Sequence, residues 1–287
     1  MRFHPSGQIF AYGLLGDMYI LNAALEVQEK LPMEFASQMR DGPYHTRSFD
    51  FYKEDLLLFY PGREGQNPYL EEFWKSNQLL EYYDLGKQQM RPYLRLFPES
   101  QHQGELYYET PRVVMGIAGD QLYLSLDTES LIGVYDLRAE GAHVQTLDFE
   151  PAKYVQFAGA KARVGYVSGN FMSRGRVLNL FTVAEGAIVY YSEGIEKDDF
   201  LNAGLNKKEN WYKIPDMEKR LLRLYREELG WSNEILVPAK VKNILSIEAL
   251  DQPFYGLRDD DYVGEEQEYL TFYKMKLTPL KELDSRK

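Results

Sequence analysis

From Gly119 to Phe149 the chain reads GDQLYLSLDTESLIGVYDLRAEGAHVQTLDF, apolar positions alternating or running together between short polar breaks. Such a pattern predicts strands near 121–126, 131–137 and 143–149, with a further strand ahead of them in RVVMGIAG at 112–119. The pattern recurs. LLEYYDLGKQQMRPYLRLF (79–97) matches LIGVYDLRAEGAHVQTLDF (131–149), with Leu79, Tyr83, Asp84, Leu85 and Phe97 returning as Leu131, Tyr135, Asp136, Leu137 and Phe149. Looser copies lie at 17–33, 176–194 and 269–283, which makes Leu21, Tyr83, Tyr135, Phe181 and Tyr273 the expected anchors of successive third strands.

Four short strands repeated every 40–50 residues or so are the signature of a propeller blade, a sheet that buries its two faces only by stacking on neighbours. A β-sandwich also has regular strands, but nothing obliges its fragments to match at a fixed offset. The fold expected is an all-β propeller of four-stranded antiparallel blades in a single domain, 1–287. Blade units are expected at about 1–33, 45–97, 110–149, 153–194 and 241–283. The segment 195–240 is irregular. In it, DMEKRLLRLYREELG sets Met217, Leu221, Leu224, Tyr225 and Leu229 on one helical face, between a capping Asp216 and a terminating Gly230. The expectation is a helix near 216–229, inserted in a sixth, degenerate blade, with Arg223 on its exposed side. Spacing alone would make Tyr225 a sixth anchor.

Connections are unequal. First-to-second and third-to-fourth turns are tight, as at Ser6-Gly7, Gly86-Lys87, Gly119-Asp120 and Glu185-Gly186. Because strand direction alternates, the remaining connections share the opposite face. These include PGREGQNPYLEEFWKSNQ (61–78), SGNFMSRG (168–175), DDDYVGEEQE (259–268) and the crossings at 33–45 and 98–110. Long loops collected on one face are where a binding site is expected.

Composition narrows the choice of ligand. There are no cysteines, which removes disulfides, thiolate metal sites and cysteine nucleophiles. A net charge of −11 with no basic stripe argues against nucleic acid. No run approaches the 18 or so apolar residues of a membrane span. MRFHPSGQIF has no apolar signal core. The 23 tyrosines against 15 phenylalanines and 3 tryptophans suit half-buried pleated surfaces, and also protein- or sugar-binding faces.

No catalytic motif stands out. His4, His45, His102 and His143 lack metalloprotease spacing, and no serine occupies a nucleophile elbow. His45 and His102 fall in crossings of the long-loop face and could meet near the axis. RDDDYVGEEQE is rich in carboxylates but lacks the ladder of an EF-hand loop. The binding residues expected are Arg63, Tyr69, Trp74, His45, His102, Tyr108, Asp127, Arg174 and Asp260. No metal or other cofactor is called for. The leading expectation is a non-enzymatic binding or scaffold protein taking a protein or glycan. The alternative is a carbohydrate-active hydrolase, or a metal-dependent lactonase, using axial carboxylates from Asp127, Glu129, Glu105 and Asp260.

The LIGVYDL copy and the ending FYGLRDDDYVGEEQEYLTFYKMKL resemble uncharacterised six-bladed propellers of the TolB-like kind, in particular a bacterial domain-of-unknown-function family whose members are often envelope lipoproteins. The resemblance implies a periplasmic or cell-envelope protein. It supplies no catalytic residues. The chain departs from that pattern in having neither a signal core nor a lipidation cysteine, and a first blade is expected to accompany the missing signal.

Overall fold

The structure is a computed structural model that describes residues 1–13, 16–38, 48–156, 159–161, 174–264 and 268–278. Five antiparallel sheets follow one another along the chain in a propeller arrangement. The first holds β1 (Arg2–Phe3), β2 (Ile9–Tyr12), β3 (Met18–Leu21) and β4 (Val27–Lys30); the second holds β5 (Phe49–Tyr52), β6 (Asp55–Leu58), β7 (Leu80–Asp84) and β8 (Gln89–Tyr93). The third contains β9 (Val113–Ala118), β10 (Gln121–Leu126), β11 (Leu131–Asp136) and β12 (Ala142–Asp148). In the fourth, β13 (Arg174–Val183), β14 (Gly186–Gly194) and β15 (Arg220–Arg226) lie side by side, and β16 (Gly230–Trp231) and β17 (Ile235–Val237) both pair with β15. The fifth holds β18 (Val241–Ser246), β19 (Phe254–Arg258) and β20 (Phe272–Met275).

Alternate residues of each strand enter different cores, and this stacks the sheets. On β10, Leu122, Leu124 and Leu126 join the cluster shared with the first two sheets, while Tyr123 joins the cluster shared with the fourth. On β14, Ala187, Val189 and Tyr191 face the third sheet, and Ile188 and Tyr190 face the fifth. First strands are neighbours: β5 packs beside β9, and β9 beside β13. They run the same way. Asp50 accepts from Ile117 N, and Tyr52 donates to Asp120; Arg176 reaches Asp127 beside the start of β9, while Thr182 donates to the Ile117 carbonyl near its end. The second-to-third connections of the second, third and fourth sheets therefore leave from one face, and Tyr262 in the fifth sheet's connection donates to Asp216 in the fourth's.

Gly133 marks a close approach between sheets. A Cβ there would lie 2.5 Å from Phe97 and 2.9 Å from Tyr135.

Two expectations are corrected. Residues 220–226 are a strand, not part of a helix over 216–229; helix stops at Met217, in the short segment Ile214–Met217. The reason is burial on both sides. Leu221 and Tyr225 enter the core shared with the third sheet, and Leu222 enters the core shared with the fifth, so no polar face survives to display a period of two. Tyr225, paired with Ala187, is a third-strand residue as its spacing implied. The second correction follows from the first. Segments 176–183 and 186–194 are the first and second strands of the fourth sheet rather than third and fourth, and 195–240 supplies that sheet's outer strands rather than a sixth blade. Phe181 is accordingly a first-strand residue.

Arg223 is not on an exposed helical side. Its guanidinium donates to the carbonyls of Phe149, Glu150 and Ser232, tying the end of the third sheet to the fourth. Arg223→Ala should therefore lower unfolding free energy in urea by about 2 kcal/mol, as expected for losing charge-assisted hydrogen bonds to carbonyls. A change within about 0.5 kcal/mol would contradict the strand assignment's account of this residue.

Candidate functional site

The long-loop face is built from three second-to-third connections and the crossings between sheets. In the second sheet the connection holds a 3₁₀ turn at Arg63–Gly65 and helix α1 (Glu71–Ser76). In the fourth it holds α2 (Lys197–Asn202), a 3₁₀ segment at Lys208–Lys213 and α3 (Ile214–Met217). In the fifth it holds α4 (Asp260–Val263), capped by the Asp259 carboxylate accepting from Tyr262 N.

Beneath these loops, at the junction of the third and fourth sheets, lies a buried polar layer. Asp127 opens the β10–β11 turn and accepts from Arg112 N at 2.7 Å and Arg176 Nη1 at 2.6 Å. Glu109, in the crossing before β9, accepts from both Arg174 and Arg176. Val177 N donates to the Asp127 carbonyl. Two carboxylates and two guanidiniums thus stitch the first strands of adjacent sheets together. Burial pushes the Glu109 carboxyl up, and the two arginines pull it back.

Glu129 lies in the same turn, with no cation on it among the described residues. It accepts from Ser100 Oγ at 2.9 and 3.1 Å and from Gln101 N at 3.0 Å. Burial raises its pKa to about 8; the donors from Gln101 and Ser100 lower it and the nearby Asp127 charge raises it further. The raised pKa favours the protonated carboxyl near neutral pH. The neighbouring His102 is buried, shares a hydrogen bond with Thr128 Oγ1 at 3.0 Å, and is pushed by burial to a pKa of about 3. It is a neutral ring packed against Trp74 and Tyr108.

The residues expected to bind are distributed unevenly. Trp74 is 3% exposed, stacked on Phe59, with its indole N–H on the Pro68 carbonyl. It caps its own loop. Arg63 makes a two-pronged ion pair with Glu81, at 2.9 and 2.7 Å, over the Phe35 ring. Arg174, Asp127 and His102 belong to the buried layer, and Tyr108 is half-buried beside it. Asp260 pairs with Arg258 at 2.6 Å. His45 lies outside the described residues. Tyr69 is exposed on its loop.

Tyr69 has a counterpart on each of the other two long connections. Tyr69 and Leu70, Trp211 and Tyr212, and Tyr269 and Leu270 are consecutive exposed pairs. Tyr212, Tyr269 and Leu270 are 63%, 67% and 73% exposed. All of these residues but Tyr69 went unnoticed in the sequence, although NWYKIP and EYLTF carry a visible signal: adjacent large apolar residues in a segment without strand alternation. Among the described residues, no group of three His, Asp or Glu side chains converges as metal ligands would.

Comparison of the sequence with family models and with curated proteins yields no match. Comparison of structures does. The fold is similar to that of a crystallised member of the DUF4221 family from Bacteroides vulgatus, with a TM-score of 0.54 at 11% identity over 96% of this chain and 78% of that one.

The titration of Glu129 has a defined sign. Its folded pKa exceeds the ordinary carboxylate value, so the folded protein holds the proton that the unfolded chain releases, and stability falls as pH rises from about 4.5 to about 8. His102 acts oppositely at lower pH, adding stability as pH rises from about 3 to 6.5. The difference in urea stability between wild type and Glu129→Gln isolates the first group. Wild type should lose stability relative to the variant across pH 5–8, and parallel profiles would mean that Glu129 is charged or solvated.

Proposed function

We propose that this chain is a non-enzymatic propeller that docks a partner protein on its long-loop face, with Tyr69, Trp211, Tyr212 and Tyr269 as anchors. The observation that carries the reading is the recurrence of an exposed aromatic–apolar pair on three topologically equivalent loops. Aromatic side chains are enriched among interface hot spots. Leu70 and Leu270 beside the rings suit a protein surface better than a sugar, which prefers rings flanked by polar groups.

The hydrolase reading fares worse on the same face. Asp127 is held by Arg176, Asp260 by Arg258, and Glu129 lies under the 98–104 turn. A general acid and its partner must reach a substrate, and these side chains are committed to the protein's own groups. A periplasmic or cell-envelope setting is part of the proposal and rests on the family resemblance; fractionation of the native host would test it.

With the intact chain as bait, Tyr212→Ala and Tyr269→Ala should each weaken capture of a partner by roughly fivefold or more. Lys87→Ala and Glu140→Ala, on tight turns of the other face, should leave it unchanged. Equal loss from all four variants, at unaltered melting temperature, would sink the assignment of a single face. Selective binding on a glycan array, abolished by the same tyrosine variants, would keep the face and replace the partner class.

A further inference from the structure

At the opposite end of the disc, where turns are tight, the fourth and fifth sheets leave a cavity of about 600 Å³ between them. That volume is within the range of small-molecule sites, about 300–1,000 Å³. Leu224, Ile235, Leu250 and Leu277 form its apolar walls. They come from β15, the β16–β17 segment, the β18–β19 connection and the residues after β20, so the space exists only because the two sheets stack.

Arg226, the last residue of β15, also lines the cavity. Alternation along the strand sets its side chain on the same side as Leu222 and Leu224, toward the fifth sheet. Its Nε is buried with no hydrogen-bond partner, and among the described residues no carboxylate pairs with it. Glu234 lines the cavity too, but its carboxylate accepts from Tyr191 Oη at 2.6 Å and Ala152 N at 2.7 Å. Lys276 adds a second cation from an exposed position.

A buried guanidinium donor with nothing to bond to carries a desolvation cost that an anionic oxygen acceptor would remove. The walls offer the reverse chemistry: they gain by covering hydrocarbon and would reject a highly charged ligand. A dianionic phosphate or a free sugar fits neither requirement. We propose that this cavity binds an unbranched aliphatic monocarboxylate, its carboxylate on Arg226 and its chain against Leu224, Leu250 and Leu277. The site stands apart from the long-loop face and does not depend on what that face binds.

Calorimetric titration of the full chain with dodecanoate, below its micellar concentration, against dodecanol tests this directly. Dodecanoate should bind saturably at one site, at least tenfold more tightly than the alcohol. Arg226→Gln should erase that preference while leaving dodecanol binding and melting temperature as in the wild type. Arg226→Lys should retain part of it. Tyr212→Ala should bind dodecanoate normally. No saturable binding of dodecanoate to the wild type would overturn the proposal, as would equal acid-over-alcohol preference in the wild type and Arg226→Gln.

Discussion

Everything in this molecule depends on sheets being apolar on both faces. A four-stranded sheet with Leu122, Leu124 and Leu126 on one side and Tyr123 on the other has no solvated face to offer water. It is stable only between two neighbours. The cores therefore form a chain, the first three sheets around one cluster, the third and fourth around a second, the fourth and fifth around a third. The large apolar residues of β14 and β15 each enter one of two adjacent cores, so the fourth sheet is the link between the two ends of the series.

The same constraint settles where polarity can go. With both faces of the inner sheets consumed, much of the buried polarity gathers at strand ends and connections. At one end lie the layer of Glu109, Asp127, Arg174 and Arg176, which fastens neighbouring first strands, and Glu129, which holds the 98–104 turn over the third sheet. Exposed aromatic pairs stand above this layer on three loops of the same topological class. At the other end the turns are too short to cover the seam between the fourth and fifth sheets, and a cavity with one unsatisfied arginine results. Both surfaces are consequences of how β15 is held: the loop bearing Trp211 and Tyr212 enters it, and Arg226 ends it.

Legibility in the sequence followed burial. The third sheet could be read strand by strand, because Gly119-Asp120 and Ala139–Gly141 punctuate it and Asp136 ends its third strand in the register also seen at Asp84. The repeat across 79–97 and 131–149 corresponds to third and fourth strands in both sheets. The copy at 176–194 carried similar aromatic spacing but belongs to first and second strands, since any two adjacent strands buried on both sides look alike. Residues 220–226 misled for a related reason, their Leu and Arg content favouring helix while the two flanking cores dictated strand. Among candidate site residues, Trp74 looked like an interface anchor because it sits in a long loop. Composition could not reveal that Pro68 satisfies its N–H and Phe59 covers its ring. The exposed pairs at 211–212 and 269–270 were visible as text, but their exposure is a property of three-dimensional packing.

Native-state hydrogen exchange at the amides of Leu221 to Tyr225 tests the central role of the fourth sheet most directly. As the inner members of a strand paired on both sides and buried against two cores, these amides should exchange only through global unfolding, with protection equal to the stability measured in denaturant. Exchange through local opening, orders of magnitude faster and insensitive to denaturant, would mean that β15 is an appendage and that the chain of cores is broken at its middle.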